Sequence, residues 1–185
     1  MRLLKQGKVV YIHSIKLEME QNIMAIKQGD KIPSVKLKKS GPDGLQEFDT
    51  ADSIKGKKVM LVGMPGAFTG SCQKHLPGYV SNADALKSKG FDDIIIVTVN
   101  DPFVSAAWGE SANTQGKVTL WADGNGEFAK AIGLTFDGSG AGLGTRLQRF
   151  SAVVKDGVIE SLTVEAKPSD VDLTSAVCML EKAAA

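Results

Sequence analysis

The sequence predicts an α/β domain in which helices flank a mixed central β-sheet. Two continuous apolar runs, at 59–63 and 94–99, have the length and the β-branched content of strands that are buried on both faces. A stretch with helical spacing separates these two runs, and a hairpin pattern follows nearer the C-terminus. Strands that alternate with helices before a final hairpin are typical of a mixed sheet covered by helices.

The other predicted elements are bounded by turn residues. An edge strand at 35–37 and a turn at 40–44 precede the first buried strand. A loop at 65–71 follows, then a helix whose spacing is clear over 79–89 and which Gly90 caps, and then the second buried strand. The remaining elements are a helix from Asn100 to Trp108, a strand at 118–121, a helix over 127–132, a hairpin of strands 150–154 and 158–164 around Lys155-Asp156-Gly157, and a closing helix over 173–182.

The length and composition indicate one globular domain. The chain has 185 residues, of which 43% are hydrophobic and 23% charged. A formal net charge of +1 gives no field that would gather nucleic acid or an anionic membrane, and no run of residues is apolar enough to span a bilayer. We therefore expect no nucleic-acid partner and no membrane partner.

The first 23 residues differ from the rest, which forms a single domain over 24–185. They carry several lysines and an arginine before the first acidic residue, Glu18. This segment is a flexible leader, a tag-like extension or a weak targeting peptide. We expect a cytoplasmic protein, or one in the mitochondrion or another organelle if residues 1–23 are a targeting peptide.

Two cysteines and two histidines do not favour a metal site or a disulfide scaffold. Cys72 and Cys178 are too few for a secreted disulfide framework, and with His13 and His75 they do not readily form a zinc centre. We predict no metal and no cofactor. On cysteine count alone, two inert buried thiols would be the simplest interpretation.

The segment that follows the first buried strand contradicts that interpretation for Cys72. Cys72 comes shortly after the strand and opens a helix, where free N–H groups and the helix dipole favour thiolate over thiol. The Thr69 hydroxyl can turn toward the sulfur or a bound oxygen. Pro65 can shield the thiolate, because its ring carries no N–H, and Gly66 lets the backbone approach a small ligand closely.

An arginine at the start of the hairpin can reach back to this thiolate. Arg146 and Arg149 both lie in the segment that leads into the hairpin, and a guanidinium would stabilise the anion and the charge on a departing oxygen. Sequence spacing alone leaves both arginines as candidates.

The motifs in this chain resemble those of the peroxiredoxins. The pattern Pro-x-x-x-Thr-x-x-Cys at Pro65, Thr69 and Cys72 resembles the active-site motif of that family. The surrounding segments at 65–69, 75–79, 99–104, 108–109 and 149–151 are similar to the atypical type II or peroxiredoxin 5 branch. The resemblance runs from about Ile26 to the C-terminus and implies a thioredoxin-like fold.

The resemblance also implies the chemistry. A member of this family reduces hydrogen peroxide and organic hydroperoxides through a cysteine thiolate that becomes a sulfenic acid. The implied catalytic residues are Cys72, Thr69, Arg149 and Pro65, with Arg149 preferred over Arg146 because of the Arg-Phe-Ser match. The implied substrate-binding residues are Ser71, Gly66, Phe68 and Trp108. We expect a homodimer, formed through apolar surface around Phe68 and Leu76.

The chain departs from the family pattern in two places. Relatives have one more residue between the cysteine and the His-x-Pro-Gly segment, so either the helix start is rearranged or a modified residue beside Cys72 is missing from the sequence. No cysteine stands at either usual position of the resolving residue. Cys178 is a candidate resolving residue, but we favour a bystander, which makes the protein a one-Cys enzyme recycled by glutathione with glutaredoxin or by thioredoxin.

Two other functions compete with the thiol peroxidase. A general thiol-disulfide oxidoreductase would need a Cys-x-x-Cys pair, which the chain lacks. A redox-signalling protein that senses peroxide and binds partners through oxidised Cys72 remains an alternative. We expect His75 to pack in the helix rather than to act as a base, and the glycine-rich segment at 138–142 to be a flexible loop rather than a nucleotide site.

Overall fold

A seven-stranded mixed β-sheet forms the centre of the protein. The structure, a computed structural model, describes residues 24–41 and 44–183, so the predicted leader at 1–23 lies outside the described residues. Its strands are β1 (Lys36–Gly41), β2 (Gly44–Asp49), β3 (Lys58–Met64), β4 (Asp93–Thr98), β5 (Thr119–Ala122), β8 (Phe150–Lys155) and β9 (Val158–Val164). They lie in the order β2-β1-β5-β4-β3-β8-β9, and only the pairs β3–β4 and β4–β5 are parallel.

Helices cover the sheet, and a small second sheet lies beside it. The second sheet pairs β6 (Thr135–Asp137) with β7 (Thr145–Leu147), and a short 3-10 helix, Ser139–Ala141, lies between these two strands. None of the helices in the described ranges is long and apolar enough to cross a membrane. The α-helices are α1 (Thr50–Ile54), α2 (Gly70–Ser81), α3 (Ala83–Ser88), α4 (Pro102–Ser111), α5 (Glu127–Ala131) and α6 (Ala176–Lys182).

Two hydrophobic cores, one on each face of the sheet, explain the continuous apolar runs. Successive side chains of a strand point to opposite faces. In β3, Val59 and Leu61 pack in one core, whereas Met60 and Val62 pack in the other, which also contains Cys72. After their first residues, Lys58 and Asp93, the central strands are therefore buried at every position, as the apolar runs predict.

The structure corrects several predicted boundaries. The strand predicted at the edge, β1, lies between β2 and β5, and the unpredicted β2 is the edge strand. The helix after the loop begins at Gly70, and the helical pattern predicted over 79–89 is divided by Asn82 into α2 and α3. The closing helix begins at Ala176 rather than near Leu173, because Ser175 caps it by accepting a hydrogen bond from the Cys178 N–H group.

Candidate active site

The first turn of α2 presents free backbone N–H groups. Thr69 is the N-cap residue with extended backbone angles, but its hydroxyl donates to the carbonyl oxygen of Gly66 at 2.9 Å, and no side chain caps the helix. The Gln73 N–H group makes a helical hydrogen bond with the Thr69 carbonyl oxygen at 2.9 Å. The N–H groups of the first three helical residues have no acceptor within the helix. They form, together with the helix dipole, a site suited to a negatively charged atom.

The loop between β3 and α2 is held in one conformation by two neighbouring side chains. The Ala67 N–H group donates to Asn100 Oδ1 at 2.8 Å. A Cβ atom at Gly66 would lie 2.9 Å from a terminal nitrogen of Arg146, so a larger residue there would require the Arg146 side chain to shift. Phe68 adopts a left-handed backbone with φ 59°, which is strained for a bulky residue. Strain of this kind is concentrated at functional sites.

Cys72 lies on the buried face of α2. The buried residues of this helix are Cys72, His75, Leu76 and Tyr79, and this spacing of three, four and seven residues defines one helical face. The helix runs without interruption from Gly70 to Ser81, so the short spacing from Cys72 to the His-x-Pro-Gly segment places His75 one turn beyond the cysteine.

The guanidinium of Arg149 contacts the sulfur of Cys72. Arg149 directly precedes β8 and is only 1% exposed. Its Nη2 atom lies 3.3 Å from Cys72 Sγ. The same nitrogen and Nε both donate to the Pro168 carbonyl oxygen, at 3.0 and 3.1 Å, and Nη1 lies 2.8 Å from His75 Nδ1.

Arg149 has no carboxylate partner in the described part of the chain. The ion pairs found there are Lys36 with Asp49 and Lys117 with Asp84, both remote in sequence from Arg149. A guanidinium stays charged in proteins, and a buried charge is costly without an opposite charge beside it. Among its contacts, the Cys72 sulfur is the group on which a negative charge could form during a reaction, and the guanidinium lies in contact with it.

His75 is neutral and uses both ring nitrogens. Burial, aided by the positive charge of Arg149 and opposed by the contact with Thr174, lowers the pKa of His75 from 6.5 to about 4. Its Nε2 atom lies 2.9 Å from the Thr174 carbonyl oxygen, and its Nδ1 faces Arg149. Neither nitrogen is available to take a proton from Cys72, which agrees with our expectation that His75 is not a base.

The Thr174 carbonyl joins the C-terminal segment to the site. Besides the contact with His75, this oxygen accepts a hydrogen bond from the Tyr79 hydroxyl at 2.6 Å, and the Ser151 hydroxyl lies 3.0 Å away. The N–H group and the hydroxyl of Thr174 both donate to Glu165 Oε1, at 2.8 and 2.9 Å. Burial is the main reason that the pKa of Tyr79 is raised, so this hydroxyl remains a donor.

The structure brings together several residues that the sequence predicts for the site. Pro65 and Gly66 are buried in the loop before α2, and Ser71 lies in the first turn of the helix. Phe68 is 47% exposed at the rim of this loop. Trp108 is buried in the same hydrophobic cluster as Cys72.

One predicted placement differs from the structure, and the competing arginine makes its contacts elsewhere. Leu76 is fully buried beneath α2, so the expected apolar surface around Phe68 and Leu76 is wrong for Leu76. Arg146, the competing arginine, donates to the carbonyl oxygens of Leu143 and Val99, both at 2.7 Å, and supports the loops beside the site.

The sequence did not predict three groups in the hydrogen-bond network of Arg149: the ring of His75 and the carbonyl oxygens of Pro168 and Thr174. His75 is the partner that its sequence position could have indicated, because a spacing of three from Cys72 places both residues on one helical face. Pro168 and Thr174 act through backbone carbonyl oxygens, which any residue type provides, so the sequence contains no signal for them.

The described residues hold no group of three or more His, Cys, Asp or Glu side chains that could bind a metal ion. The site instead consists of a thiol at a helix start and a buried guanidinium. Residues 27–180 match the family model described as Redoxin, and the chain is 43% identical over 155 residues to "Peroxiredoxin-2F, mitochondrial" of Arabidopsis thaliana, which covers 80% of this chain and 77% of the relative. The chain belongs to the peroxiredoxin family.

Solved structures agree with this family and with its type II branch. Reduced Prx3 from Vibrio vulnificus in complex with hydrogen peroxide is 40% identical, with a TM-score of 0.81 over 85% of this chain and 99% of that chain. Peroxiredoxin 5 from Alvinella pompejana is 32% identical, with a TM-score of 0.75 over 86% and 98%. This peroxiredoxin therefore has the expected thioredoxin-like fold, and it is a thiol peroxidase that reduces peroxide with a thiol reductant.

Proposed function

We propose that Cys72 is the residue that the hydroperoxide oxidises. Its thiolate attacks the terminal peroxide oxygen, so the S–O bond forms as the O–O bond breaks. The sulfur is oxidised to a sulfenic acid, and the leaving oxygen takes a proton to become water or an alcohol. A thiol then attacks the sulfenic acid, releases water and forms a mixed disulfide, which a second thiol reduces.

The contact between Arg149 and Cys72 carries this proposal. A buried guanidinium 3.3 Å from the sulfur, with no acidic partner in the described ranges, stabilises the thiolate before attack. The same group can stabilise the negative charge that develops on the departing oxygen.

The peroxide would bind between Arg149 and the first turn of α2. The free N–H groups of Ser71 and Cys72 and the lone pairs of the Thr69 hydroxyl offer donors and an acceptor to the two peroxide oxygens. Pro65 and Gly66 would shape the wall of the pocket, and Phe68 its rim. Trp108 would help to keep water out of the buried side of the site, since it belongs to the same hydrophobic cluster as Cys72.

Cys178 is a bystander in this proposal, and the enzyme uses one cysteine. Both cysteines are free thiols, and Cys72 is buried on α2 whereas Cys178 is half-buried on α6. The structure gives the Cys178 backbone N–H group a capping contact with Ser175. An ordinary helical cysteine of this kind needs no role in the reaction.

A steady-state assay tests the proposal and identifies the reductant. Peroxide consumption is measured for the wild type and for the Cys72→Ser and Cys178→Ser variants, with glutathione and glutaredoxin and, separately, with thioredoxin. We expect Cys72→Ser to be inactive with both systems and Cys178→Ser to match the wild type. Loss of activity in Cys178→Ser with thioredoxin alone would instead make Cys178 the resolving residue. Oxidation of Cys72 that no reductant reverses would favour the signalling function.

We propose that the enzyme forms a homodimer through an apolar surface that contains Phe68 and Phe103. These side chains are 47% and 63% exposed. The hydrogen bond from Ala67 to Asn100 joins the loop of Phe68 to the segment that leads into α4, where Phe103 lies in the first turn. The Phe68→Asp variant should sediment as a monomer, whereas Leu45→Asp, which changes an exposed leucine on edge strand β2, should sediment as the wild type does. A wild type that sediments as a monomer would contradict this proposal.

The cytoplasm is the proposed compartment, with the mitochondrion or another organelle as the alternative. One relative is named as a mitochondrial peroxiredoxin, and another, also of Arabidopsis thaliana, as chloroplastic. Fusion of residues 1–23 to a fluorescent protein separates these outcomes. Diffuse fluorescence supports the cytoplasm, and organellar fluorescence supports a targeting peptide.

A further inference from the structure

We propose that His75 is a positioning residue for peroxide reduction, which orients the guanidinium of Arg149 toward Cys72 by accepting a hydrogen bond from it. This inference rests on the proposed role of Arg149. His75 contributes no proton and need not touch the peroxide. It acts through Arg149 alone.

The hydrogen-bond partners determine which ring nitrogen carries the proton. The Thr174 carbonyl oxygen, 2.9 Å from Nε2, can only accept a hydrogen bond, so Nε2 carries the hydrogen. A neutral ring then has a lone pair on Nδ1. Arg149 can only donate, and its Nη1 lies 2.8 Å from that lone pair. The ring therefore has one tautomer and one orientation that satisfy both neighbours.

This arrangement leaves the guanidinium little freedom to rotate. The Pro168 carbonyl oxygen accepts from both Nε and Nη2, so by itself it acts as a pivot about which the guanidinium could turn. The hydrogen bond to His75 holds the opposite side of the planar group through Nη1. With both anchors in place, Nη2 stays aligned with Cys72 Sγ at 3.3 Å.

His75 makes this contact in a buried environment. His75 is 3% exposed, and its ring lies at 5.3 Å from the ring of Tyr79, measured between centroids. A side chain without an acceptor at the Nδ1 position would leave a guanidinium N–H group buried and unpaired. The guanidinium would then turn away from the sulfur to find another acceptor.

Two isosteric variants separate the contacts of the ring. In His75→Asn, the side-chain oxygen can occupy the position of Nδ1 and accept from Arg149, but the contact with Thr174 is lost. In His75→Gln, the side-chain amide can donate to Thr174 from the position of Nε2, but the acceptor for Arg149 is lost. Tyr79→Phe is the matched control, because it also removes a hydrogen bond to the Thr174 carbonyl without touching Arg149.

The test measures the second-order rate constant for Cys72 oxidation by hydrogen peroxide in a single turnover, with circular dichroism as the check of folding. We expect His75→Gln to lower this rate roughly tenfold, the size of one charge-assisted hydrogen bond. His75→Asn and Tyr79→Phe should stay within about threefold of the wild type. In the Arg149→Ala background, His75→Gln should cause no further loss, since its effect passes through Arg149.

Several outcomes would overturn the inference. The first is a folded His75→Gln variant that is oxidised at the wild-type rate. The second is an equal loss of rate in His75→Gln and Tyr79→Phe. The third is a loss of rate from His75→Gln in the Arg149→Ala background that is as large as in the wild-type background. If His75→Asn does not fold, the double-variant comparison still decides. Failure of the underlying proposal looks different, since Arg149→Ala itself would then oxidise as fast as the wild type.

Discussion

Replacement of Arg149 by lysine should slow the oxidation of Cys72 while keeping the positive charge. The guanidinium contacts three groups at once through Nε, Nη1 and Nη2: the Pro168 carbonyl oxygen, His75 Nδ1 and Cys72 Sγ. A lysine ammonium is a single nitrogen on a flexible stem and cannot occupy all these positions. Arg149→Lys therefore loses the fixed donor at the sulfur rather than the charge itself.

The expected loss is about 100-fold. Removal of one preorganised donor to a developing negative charge costs about 10²–10³ in rate. The retained charge keeps the effect near the lower limit, and about 100-fold corresponds to about 2.7 kcal/mol of transition-state stabilisation. Arg149→Met, which also removes the charge, should lose about 1,000-fold or more.

Stopped-flow measurement of single-turnover oxidation by hydrogen peroxide checks this prediction. Arg146→Lys is the matched control, because Arg146 lies in the same segment but donates to the carbonyl oxygens of Leu143 and Val99. It should stay within about fivefold of the wild type. The reasoning is refuted if folded Arg149→Lys reacts as fast as the wild type, or if Arg146→Lys loses as much as Arg149→Lys.

Two further predictions concern stability. Burial lowers the pKa of His75 to about 4, whereas the same side chain titrates near pH 6.5 in the unfolded chain. The contribution of the neutral buried ring to stability is therefore present above pH 6.5, and it is lost as the pH falls toward 4. The difference in unfolding free energy between the wild type and His75→Asn should change by about 3 kcal/mol between pH 7 and pH 4 in urea titrations, and a constant difference would count against the buried neutral ring. Gly63→Ala should destabilise the fold by about 3 kcal/mol, because its Cβ atom would collide with the Phe150 ring and lie 2.9 Å from a methyl group of Leu147. A Cβ atom at Gly78 in α2 would meet nothing within 4 Å, so Gly78→Ala should stabilise the fold by about 0.5–1 kcal/mol. Thermal unfolding measures both variants, and equal effects of the two changes would contradict the packing described.

The parts of the fold that the sequence predicts are those with a strong local pattern. β3 and β4 are continuous apolar runs, and the β8–β9 hairpin turns at Asp156 and Gly157, both of which have the positive φ values that such a turn needs. The edge strand β2 was missed because most of its side chains are exposed, so it has no alternating apolar pattern. The start of α2 was placed too late, because its first residues, Gly70 and Ser71, are weak helix formers.

In the candidate site, likewise, the residues that form a local pattern could be predicted and the distant partners could not. The spacing of Pro65, Thr69 and Cys72 is local, and it predicts a thiol at a helix start. Arg149 is 77 residues from Cys72, and the sequence pattern alone could not separate it from Arg146; the choice depended on the family resemblance. The contacts of Pro168 and Thr174 are made by backbone atoms and become visible only when the C-terminal segment is placed beside α2.

The most direct test of the central claim is to find where one equivalent of hydrogen peroxide leaves its oxygen. The reduced protein is mixed with peroxide in the presence of dimedone, which traps sulfenic acids, and the labelled peptide is identified by mass spectrometry. We predict a single adduct at Cys72 in the wild type and in Cys178→Ser, and none in Cys72→Ser. An adduct at Cys178 with Cys72 unlabelled would contradict the proposed site.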